Sequence, residues 1–388
     1  MLQKPSLSSP LPFIDLKRQQ ERIRPQINEA FQRILDKGSY IMGSEVFDLE
    51  KKLSEFCGAK HTITCANGTD ALALILMAKN VKPGDAIFVP SFTFAATAEV
   101  VAWMGATPVF IDVLKETFNM DPSSLKQGIL KAQELGLKPT AIIPVDLFGA
   151  PADYDALETI ASENNLWILS DAAQSFGASY KKRSVGTFGL ATSTSFFPAK
   201  PLGCYGDGGA IFTENDELAE TLISLRVHGQ GKDKYDNIHI GMNGRLDTLQ
   251  AAVLLEKLKI FPGELIARHK AAVFYNDALS SVATTPFLLP NTTSSWAQYT
   301  LRLKEGTSRD KLIQDLQNVG IPTAIYYVKP LHLQKAYQHY PTALGHHLPN
   351  SEALSHEVLS LPMHGYLTEE ALQFITENMI HFLSTSSS

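Results

Sequence analysis

Short apolar runs alternate with amphipathic stretches through the first half of the chain. The apolar runs, taken in order from residue 61, are HTITCA, AIFVP, TPVFIDV, AIIPVDL, LWILSD, ATSTSFF and GAIFT. Between them stand stretches such as GTDALALILMAKN and YDALETIASENN, whose apolar residues recur at helical spacing. This alternation is typical of α/β domains with helices on both faces of a sheet. The pattern therefore predicts a mostly parallel sheet of seven strands.

Two helices are predicted before this region. Ile27 and Ile34 lie on one face of the first helix, which Gly38 ends, and the second begins after Ser44 and ends near Gly58. Beyond residue 260 the order is a helix around ARHKAAVFYNDALSS, a strand WAQYTLRLK, a helix LIQDLQNVG and a strand TAIYYV. That order is an α+β pattern.

The length of the chain favours two domains. A chain of 388 residues exceeds the range of roughly 250 to 300 residues that one hydrophobic core usually serves. We predict a large α/β domain with its N-terminal segment over residues 1–259 and a smaller α+β domain over residues 260–388.

Composition excludes several classes of partner. The net charge of -6 argues against nucleic acid, because phosphate binding normally requires a basic surface. No apolar run approaches the roughly 18 residues of a membrane span, and the first residues lack the pattern of a signal peptide. Three cysteines match no disulfide or zinc spacing. We expect a cytoplasmic protein with no metal site.

Candidate chemistry lies where the predicted strands end, which is where open α/β sheets bind ligands. Gly68 and Thr69 begin a helix after the first strand, and its free amides could bind an anion or simply follow an ordinary turn. Asp171 ends the strand LWILSD, and a buried carboxylate needs a partner. It could cap a helix or hold the protonated nitrogen of a pyridine cofactor, with Gln174 in the same pocket.

Lys200 stands between an apolar strand and the glycine-rich turn PLGCYGDGG. By itself it is weak evidence, because most lysines are solvated surface charges. Ser195 could add a hydroxyl to an anion site or be a plain strand residue. An anion-binding turn, a buried acid, a serine and a loop lysine together are what pyridoxal phosphate needs for its phosphate, its ring nitrogen and a Schiff base.

Several longer motifs resemble one family across nearly the whole chain. They are FIDL, GTDAL, SFTFAATA, PVFIDV, AIIPVDLFGAPADYDAL, DAAQSFGASY, SFFPAKPLGCYGDGGA, GMNGRLDTLQAAVL and LPMH. The sequence resembles the DegT/DnrJ/EryC1/StrS sugar aminotransferases, which are fold type I pyridoxal phosphate enzymes. SFFPAKPLGCYGDGG is similar to the branch that aminates UDP-2-acetamido-2-deoxy-3-oxo-glucuronate.

The resemblance implies a role for each candidate. Lys200 would form the Schiff base, Asp171 would pair with the pyridinium nitrogen, and Gln174 would contact the cofactor ring or its hydroxyl. The remaining cofactor contacts would be the phosphate ligands Gly68, Thr69 and Ser195, the ring-stacking Phe94, and Asn243, which would reach the phosphate from a second subunit. The resemblance thus implies a homodimer.

The segment expected to meet the sugar departs from the family. The family often has His-Tyr-Pro before PLH, whereas this chain has Tyr326, Tyr327 and Val328 before Lys329. Together with these tyrosines, His332 and Arg245 are candidate substrate contacts. His332 could equally be an ordinary loop residue, and Arg245 could be a structural ion-pair partner.

By the same resemblance, the predicted activity is transfer of an amino group, with L-glutamate as the donor, to a nucleotide-linked keto sugar in O-antigen precursor synthesis. Other 3-keto or 4-keto UDP or dTDP sugars are alternative substrates. A sugar dehydratase of the same fold is disfavoured by Lys200, because those relatives carry histidine there. A non-catalytic binding protein of this fold is the remaining alternative.

Overall fold

The structure is a computed structural model that describes residues 11–233 and 235–385. The segment in which we sought a signal peptide lies largely outside these residues. The helices are α1 (Leu16–Lys37), α2 (Ser44–Cys57), α3 (Gly68–Ala78), α4 (Ala96–Trp103), α5 (Pro122–Glu134), α6 (Tyr154–Glu163), α7 (Asp216–Leu225), α8 (Thr248–Leu279), α9 (Arg309–Asn318), α10 (Pro349–Glu357) and α11 (Glu369–Thr385).

Seven strands form the central sheet. In chain order, the strands of the described residues are β1 (His61–Cys65), β2 (Asp85–Pro90), β3 (Thr107–Ile111), β4 (Lys138–Ile142), β5 (Trp167–Asp171), the short β6 (Ser179–Tyr180) and β7 (Arg183–Ser184), β8 (Ala191–Ser195), β9 (Gly209–Thr213), β10 (Thr292–Thr293), β11 (Tyr299–Arg302) and β12 (Val358–Leu361). Strands β6, β7, β10, β11 and β12 lie outside the central sheet. The sheet order is β1-β9-β8-β5-β4-β2-β3, and β9 runs antiparallel to both neighbours. The other neighbouring pairs are parallel. The predicted seven-stranded, mostly parallel sheet is confirmed.

Helices cover both faces of this sheet. Helices α3, α4 and α7 pack on one face, and α5 and α6 pack on the other. Six consecutive residues of α3, from Ala71 to Leu76, are buried. A helix that is apolar all round requires burial on every side. Packing between the sheet and two other helices places the N-terminus of α3 at the strand ends.

Helix α8 crosses the predicted boundary between residues 259 and 260. Its first half packs with α1 and α2 through Ala251, Leu254 and Phe261. Its second half packs with β11, β12, α9 and α11 through Ala272 and Tyr275. One continuous helix therefore contributes to both cores, and the division into two domains remains a prediction.

The predicted strand TAIYYV is wrong. Residues 323–328 form a single bridge, between Ala324 and Ser360, and then turn at Tyr326 and Tyr327. Aromatic and β-branched residues favour strands only where they can pack on a pleated surface. Here the ring of Tyr327 instead packs edge-on against Phe92, with ring centroids 6.0 Å apart.

A buried ion pair covers the outer edge of β1. Thr64 donates from its backbone N and from Oγ1 to Oε1 of Glu50, both over 2.9 Å. Arg226, which is 2% exposed, donates to the carbonyl of Thr64 over 2.9 Å and pairs with the Glu50 carboxylate. Edge strands need such protection because their free backbone groups can pair with other chains.

Replacement of Glu50 by alanine is expected to lower the free energy of unfolding by about 3 to 5 kcal/mol, because it leaves the Arg226 guanidinium buried without its counter-ion. Urea denaturation of the cofactor-free protein measures the loss. Glu55→Ala is the matched control on the same helix, since Glu55 pairs with Lys52 in solvent. An equal decrease in the free energy of unfolding in the two variants would show that burial of the Glu50–Arg226 pair does not contribute to stability.

A buried histidine should make stability sensitive to mild acid. His364 is 4% exposed. Burial, helped by the charge of Arg268, lowers the pKa of His364 from 6.5 to about 4. Below pH 6.5 the unfolded chain therefore binds a proton at His364, whereas the folded chain does not bind it until the pH approaches 4. The free energy of unfolding consequently decreases as the pH falls below 6.5. We expect a loss on the order of 2 kcal/mol between pH 6.5 and pH 5 from this group.

The measurement is the free energy of unfolding at both pH values for the wild type and His364→Gln. The variant should lack this part of the pH dependence. Identical pH dependences would mean that His364 does not titrate in this way.

Candidate active site

The candidate active site lies at the carboxyl ends of β5 and β8, which are parallel neighbours in the sheet. Asp171 is the last residue of β5 and Ser195 the last residue of β8. Helix α3 begins beside them. Residues far apart in sequence therefore meet at this edge, as the strand-end rule predicts.

Asp171 is buried, and its carboxylate accepts two hydrogen bonds. Thr97 Oγ1 donates to Oδ2 over 2.9 Å, and the backbone N of Ala173 donates to Oδ1 over 3.2 Å. Burial raises the pKa of Asp171, while these donors and the charge of Lys200 oppose that rise. A buried carboxylate is stabilised by a cationic partner. A protonated pyridine nitrogen has the right charge.

Lys200 is half-buried and lies near enough to Asp171 for the charge of each to shift the pKa of the other. Its backbone N donates to the carbonyl of Phe197 over 2.8 Å, which closes the turn after β8. The turn requires glycine at position 203, because the Cβ of any other residue would lie 2.6 Å from the carbonyl oxygen of Phe197, which is too close. Burial lowers the pKa of Lys200, and the charge of Asp171 opposes the shift. A lowered pKa makes more of the neutral amine available as a nucleophile.

The start of α3 packs directly against Ser195. Asn67 caps this helix by accepting from the backbone N of Asp70 over 2.8 Å, and Gly68 is the first helical residue. A Cβ at Gly68 would lie 2.7 Å from Cβ of Ser195. Helix N-terminal amides, here those of Gly68 and Thr69, and a hydroxyl form a suitable cradle for a phosphate group.

Replacement of Gly68 by alanine should weaken the binding of pyridoxal phosphate by about 10-fold to 100-fold, equivalent to one or two lost hydrogen bonds to a charged group. The added methyl group must displace Ser195. Fluorescence titration of the cofactor-free protein measures the change. Pyridoxal, which lacks the phosphate, should lose much less affinity.

Gly263→Ala is the control for this substitution. Gly263 lies inside α8, and a Cβ placed there would meet no atom within 4 Å apart from its chain neighbours and the nearby backbone of its own helix. Equal weakening of pyridoxal and pyridoxal phosphate would contradict a phosphate site at Gly68.

Gln174 joins the cofactor side of the pocket to the predicted sugar loop. Its Oε1 accepts from the backbone N of Phe148 over 2.8 Å, and its Nε2 contacts the Tyr327 hydroxyl over 3.3 Å. Ser295 Oγ donates to the Gln174 carbonyl over 2.6 Å. Burial raises the pKa of Tyr327, so its hydroxyl stays protonated. Tyr326, half-buried, lies at the same turn.

His332 is buried behind this loop rather than open to the pocket. Its Nδ1 is 2.6 Å from Ser91 Oγ, and its Nε2 is 3.2 Å from Glu352 Oε1. Burial lowers the pKa of His332. Both ring nitrogens thus have protein partners, and the geometry favours a positioning role for His332 over direct contact with a sugar.

Of three further predicted contacts, two are exposed and one is half-buried. Phe94 is 59% exposed, and Asn243 is exposed as well. Arg245 is half-buried, and its Nε has no hydrogen-bond partner among the described residues. The segment of Asn243 and Arg245 lies beside the end of β1, where the Ala66 backbone N donates to the Gly244 carbonyl over 3.0 Å. Their predicted contacts with cofactor and substrate remain predictions.

Sequence reasoning missed Thr97 and Asp146. Asp146 is fully buried and accepts hydrogen bonds from the backbone N of Ala152, Ser175 Oγ and Tyr154 Oη, at 2.7 to 2.9 Å. Burial raises the pKa of Asp146 to about 7. Its hydrogen bond from Ala152 closes the turn that contains Phe148, whose backbone N donates to Gln174. Both missed residues lie in motifs that we noted, SFTFAATA and PVDLFG, but no spacing rule separates them from their neighbours.

The described residues hold no group of three or more His, Cys, Asp or Glu side chains that could bind a metal ion. Over the same part of the chain, no helix combines the length and the apolar character needed to cross a membrane.

Comparison with known proteins agrees with the geometry. The sequence profile of the DegT/DnrJ/EryC1/StrS aminotransferase family matches residues 21–380. The chain belongs to this family. It is 46% identical over 364 residues to the UDP-2-acetamido-2-deoxy-3-oxo-D-glucuronate aminotransferase of Pseudomonas aeruginosa, covering 94% of this chain and 98% of the relative. A pleiotropic regulatory protein of Geobacillus stearothermophilus is 39% identical, covering 96% and 98% of the two chains.

Solved structures support the same assignment. A family aminotransferase from Brucella abortus superimposes with a TM-score of 0.93 and 51% identity, covering 96% of this chain and 99% of that one. A Bacillus subtilis protein with bound pyridoxamine phosphate superimposes with a TM-score of 0.88 at 28% identity, covering 98% and 87% of the two chains. The fold type I α/β architecture, the aminotransferase class and the pyridoxal phosphate cofactor of this family member are therefore confirmed.

The residues present fit that cofactor. The helix N-terminus against Ser195 suits its phosphate, the buried Asp171 carboxylate suits its ring nitrogen, and the Lys200 amine suits its aldehyde. These individual assignments remain predictions.

Proposed function

We propose that this aminotransferase moves an amino group from L-glutamate to UDP-2-acetamido-2-deoxy-3-oxo-glucuronate, within the synthesis of O-antigen precursors. The observation that carries the proposal is the charge interaction between Lys200 and Asp171, together with the contact between Gly68 and Ser195. The choice of sugar is supported by the 46% identity to the Pseudomonas aeruginosa enzyme.

The residues of the chain divide the work. Bound pyridoxal phosphate supplies an electron sink for the transferred nitrogen. Asp171 holds the proton on the ring nitrogen, and the start of α3 with Ser195 holds the phosphate. The Lys200 amine would accept the proton that leaves the α-carbon of the amino donor and would later return a proton to the sugar carbon that is aminated, because a neutral amine can accept a proton and then return it.

We infer that the active form is a homodimer in which Asn243 serves the neighbouring site. The loop that carries Asn243 is bordered by exposed apolar side chains: Tyr40 is 47% exposed, Ile41 is 52% exposed and Ile240 is 92% exposed. The Thr248 backbone N donates to the Tyr40 carbonyl, so Tyr40 and Ile41 adjoin this loop. Clustered exposed apolar residues are typical of protein interfaces.

The substrate is tested with the purified holoenzyme, glutamate and four acceptors: the UDP-linked 3-keto glucuronate, the UDP-linked 3-keto sugar without the carboxylate, and dTDP-linked 3-keto and 4-keto sugars. Mass detection of the amino sugar gives kcat/KM for each. The UDP-linked glucuronate should have the highest value. A higher value for a dTDP sugar would overturn the proposed substrate while leaving the aminotransferase class intact.

The donor half-reaction is tested separately. Glutamate alone should change the absorbance of the bound cofactor and release one 2-oxoglutarate for each active site. An unchanged spectrum with glutamate, together with a changed spectrum with another amino acid, would overturn the choice of donor.

A further inference from the structure

We propose that Thr97 is a positioning residue that keeps the cofactor's ring nitrogen protonated, acting through Asp171. The proposal rests on the proposed role of Asp171. Thr97 is 1% exposed, and its hydroxyl donates to Asp171 Oδ2 over 2.9 Å.

The hydrogen bond is made between distant parts of the fold. Thr97 is the second residue of α4, which follows β2, whereas Asp171 ends β5. Strand β4 lies between β2 and β5 in the sheet, so the hydroxyl reaches across the end of a whole strand. Threonine hydroxyls in helices commonly bond to a carbonyl of the preceding turn. Here the hydroxyl is directed at the buried carboxylate instead.

The hydroxyl can control where one proton resides. A carboxylate and a pyridine nitrogen in contact hold a proton between them, and it rests on whichever atom is more basic. The hydrogen bond from Thr97 stabilises the ionised carboxylate and opposes the effect of burial on it. Without that bond the carboxylate becomes more basic, so the proton moves from nitrogen towards oxygen. The ring then withdraws electrons less strongly and turnover slows.

The size of the effect follows from the strength of the bond. Loss of one hydrogen bond to a charged group shifts the proton equilibrium by about 10-fold to 100-fold. Ala173 still donates to the other oxygen in the variant, so Asp171 keeps its place in the pocket.

The experiment records the ¹⁵N NMR signal of holoenzymes loaded with pyridoxal phosphate labelled at the ring nitrogen. In Thr97→Val the signal should move from the protonated position towards the unprotonated one, and kcat should fall about 10-fold or more while KM for the sugar changes little. Thr97→Ser keeps the donor and should retain the wild-type signal.

Thr93→Val is the matched control. Thr93 is 2% exposed on the same segment, and its hydroxyl has no hydrogen-bond partner among the described residues. Its loss should leave the nitrogen signal in place. If Thr97→Val does not fold, Thr97→Cys, with a weaker donor, should give an intermediate shift.

The outcomes separate this proposal from the one on which it rests. Asp171→Asn should give an unprotonated nitrogen, and a protonated signal there would overturn the assignment of Asp171. If Asp171→Asn moves the signal but Thr97→Val or its cysteine substitute does not, the Thr97 proposal alone fails. It also fails if Thr97→Ser moves the signal as far as Thr97→Val.

Discussion

Replacement of Lys200 by alanine is expected to reduce kcat for amino transfer by at least about 1,000-fold, because it removes both the nucleophile and the proton carrier. Lys200 is half-buried, and desolvation lowers the pKa of its amine, which supports both roles. Binding of pyridoxal phosphate should persist at lower affinity, because the start of α3, Ser195 and Asp171 are unchanged. Steady-state kinetics and a cofactor titration on the same preparation measure the two effects.

Lys257→Met is the control for this experiment. Lys257 is more deeply buried than Lys200, at 2% exposed, and burial lowers the pKa of its amine to about 8. It lies over the ring of Tyr205, 4.6 Å from the centroid. Its replacement should affect stability more than kcat. Comparable loss of kcat in both variants would contradict a special role for Lys200.

A mixture of two inactive variants should recover activity if the site is shared between subunits. Lys200→Ala lacks the reactive amine, and Asn243→Ala lacks the predicted phosphate contact from the other subunit. In a hybrid dimer, one of the two sites receives Lys200 from one chain and Asn243 from the other. Random exchange in an equimolar mixture should therefore restore about a quarter of wild-type activity.

The control mixture combines Lys200→Ala with Asp171→Ala. These two residues belong to the same chain's pocket, where the charge of each acts on the pKa of the other. Their hybrid contains no intact site and should stay inactive. Recovery in this mixture, or none in the first, would contradict a contribution of Asn243 across the interface.

The central sheet was predictable because its strands are short and buried. Strands covered on both faces, such as β2 with all six residues buried, appear in the sequence as continuous apolar runs between helical stretches. The same reasoning wrongly predicted a strand at TAIYYV, where the two tyrosines instead form a turn. It also missed the first half of α8, because that helix is buried on several sides and lacks a clear polar face.

The sequence by itself determined the α/β class and the residues with reactive groups at strand ends, notably Lys200 and Asp171, because local periodicity and strand-end position can be recognised along one chain. Only the tertiary structure decided which groups meet. Thr97 reaches Asp171, and Gly68 lies on Ser195, because the order of strands in the sheet differs from their order in the chain. Contacts of this kind depend on packing between elements, which no local pattern records.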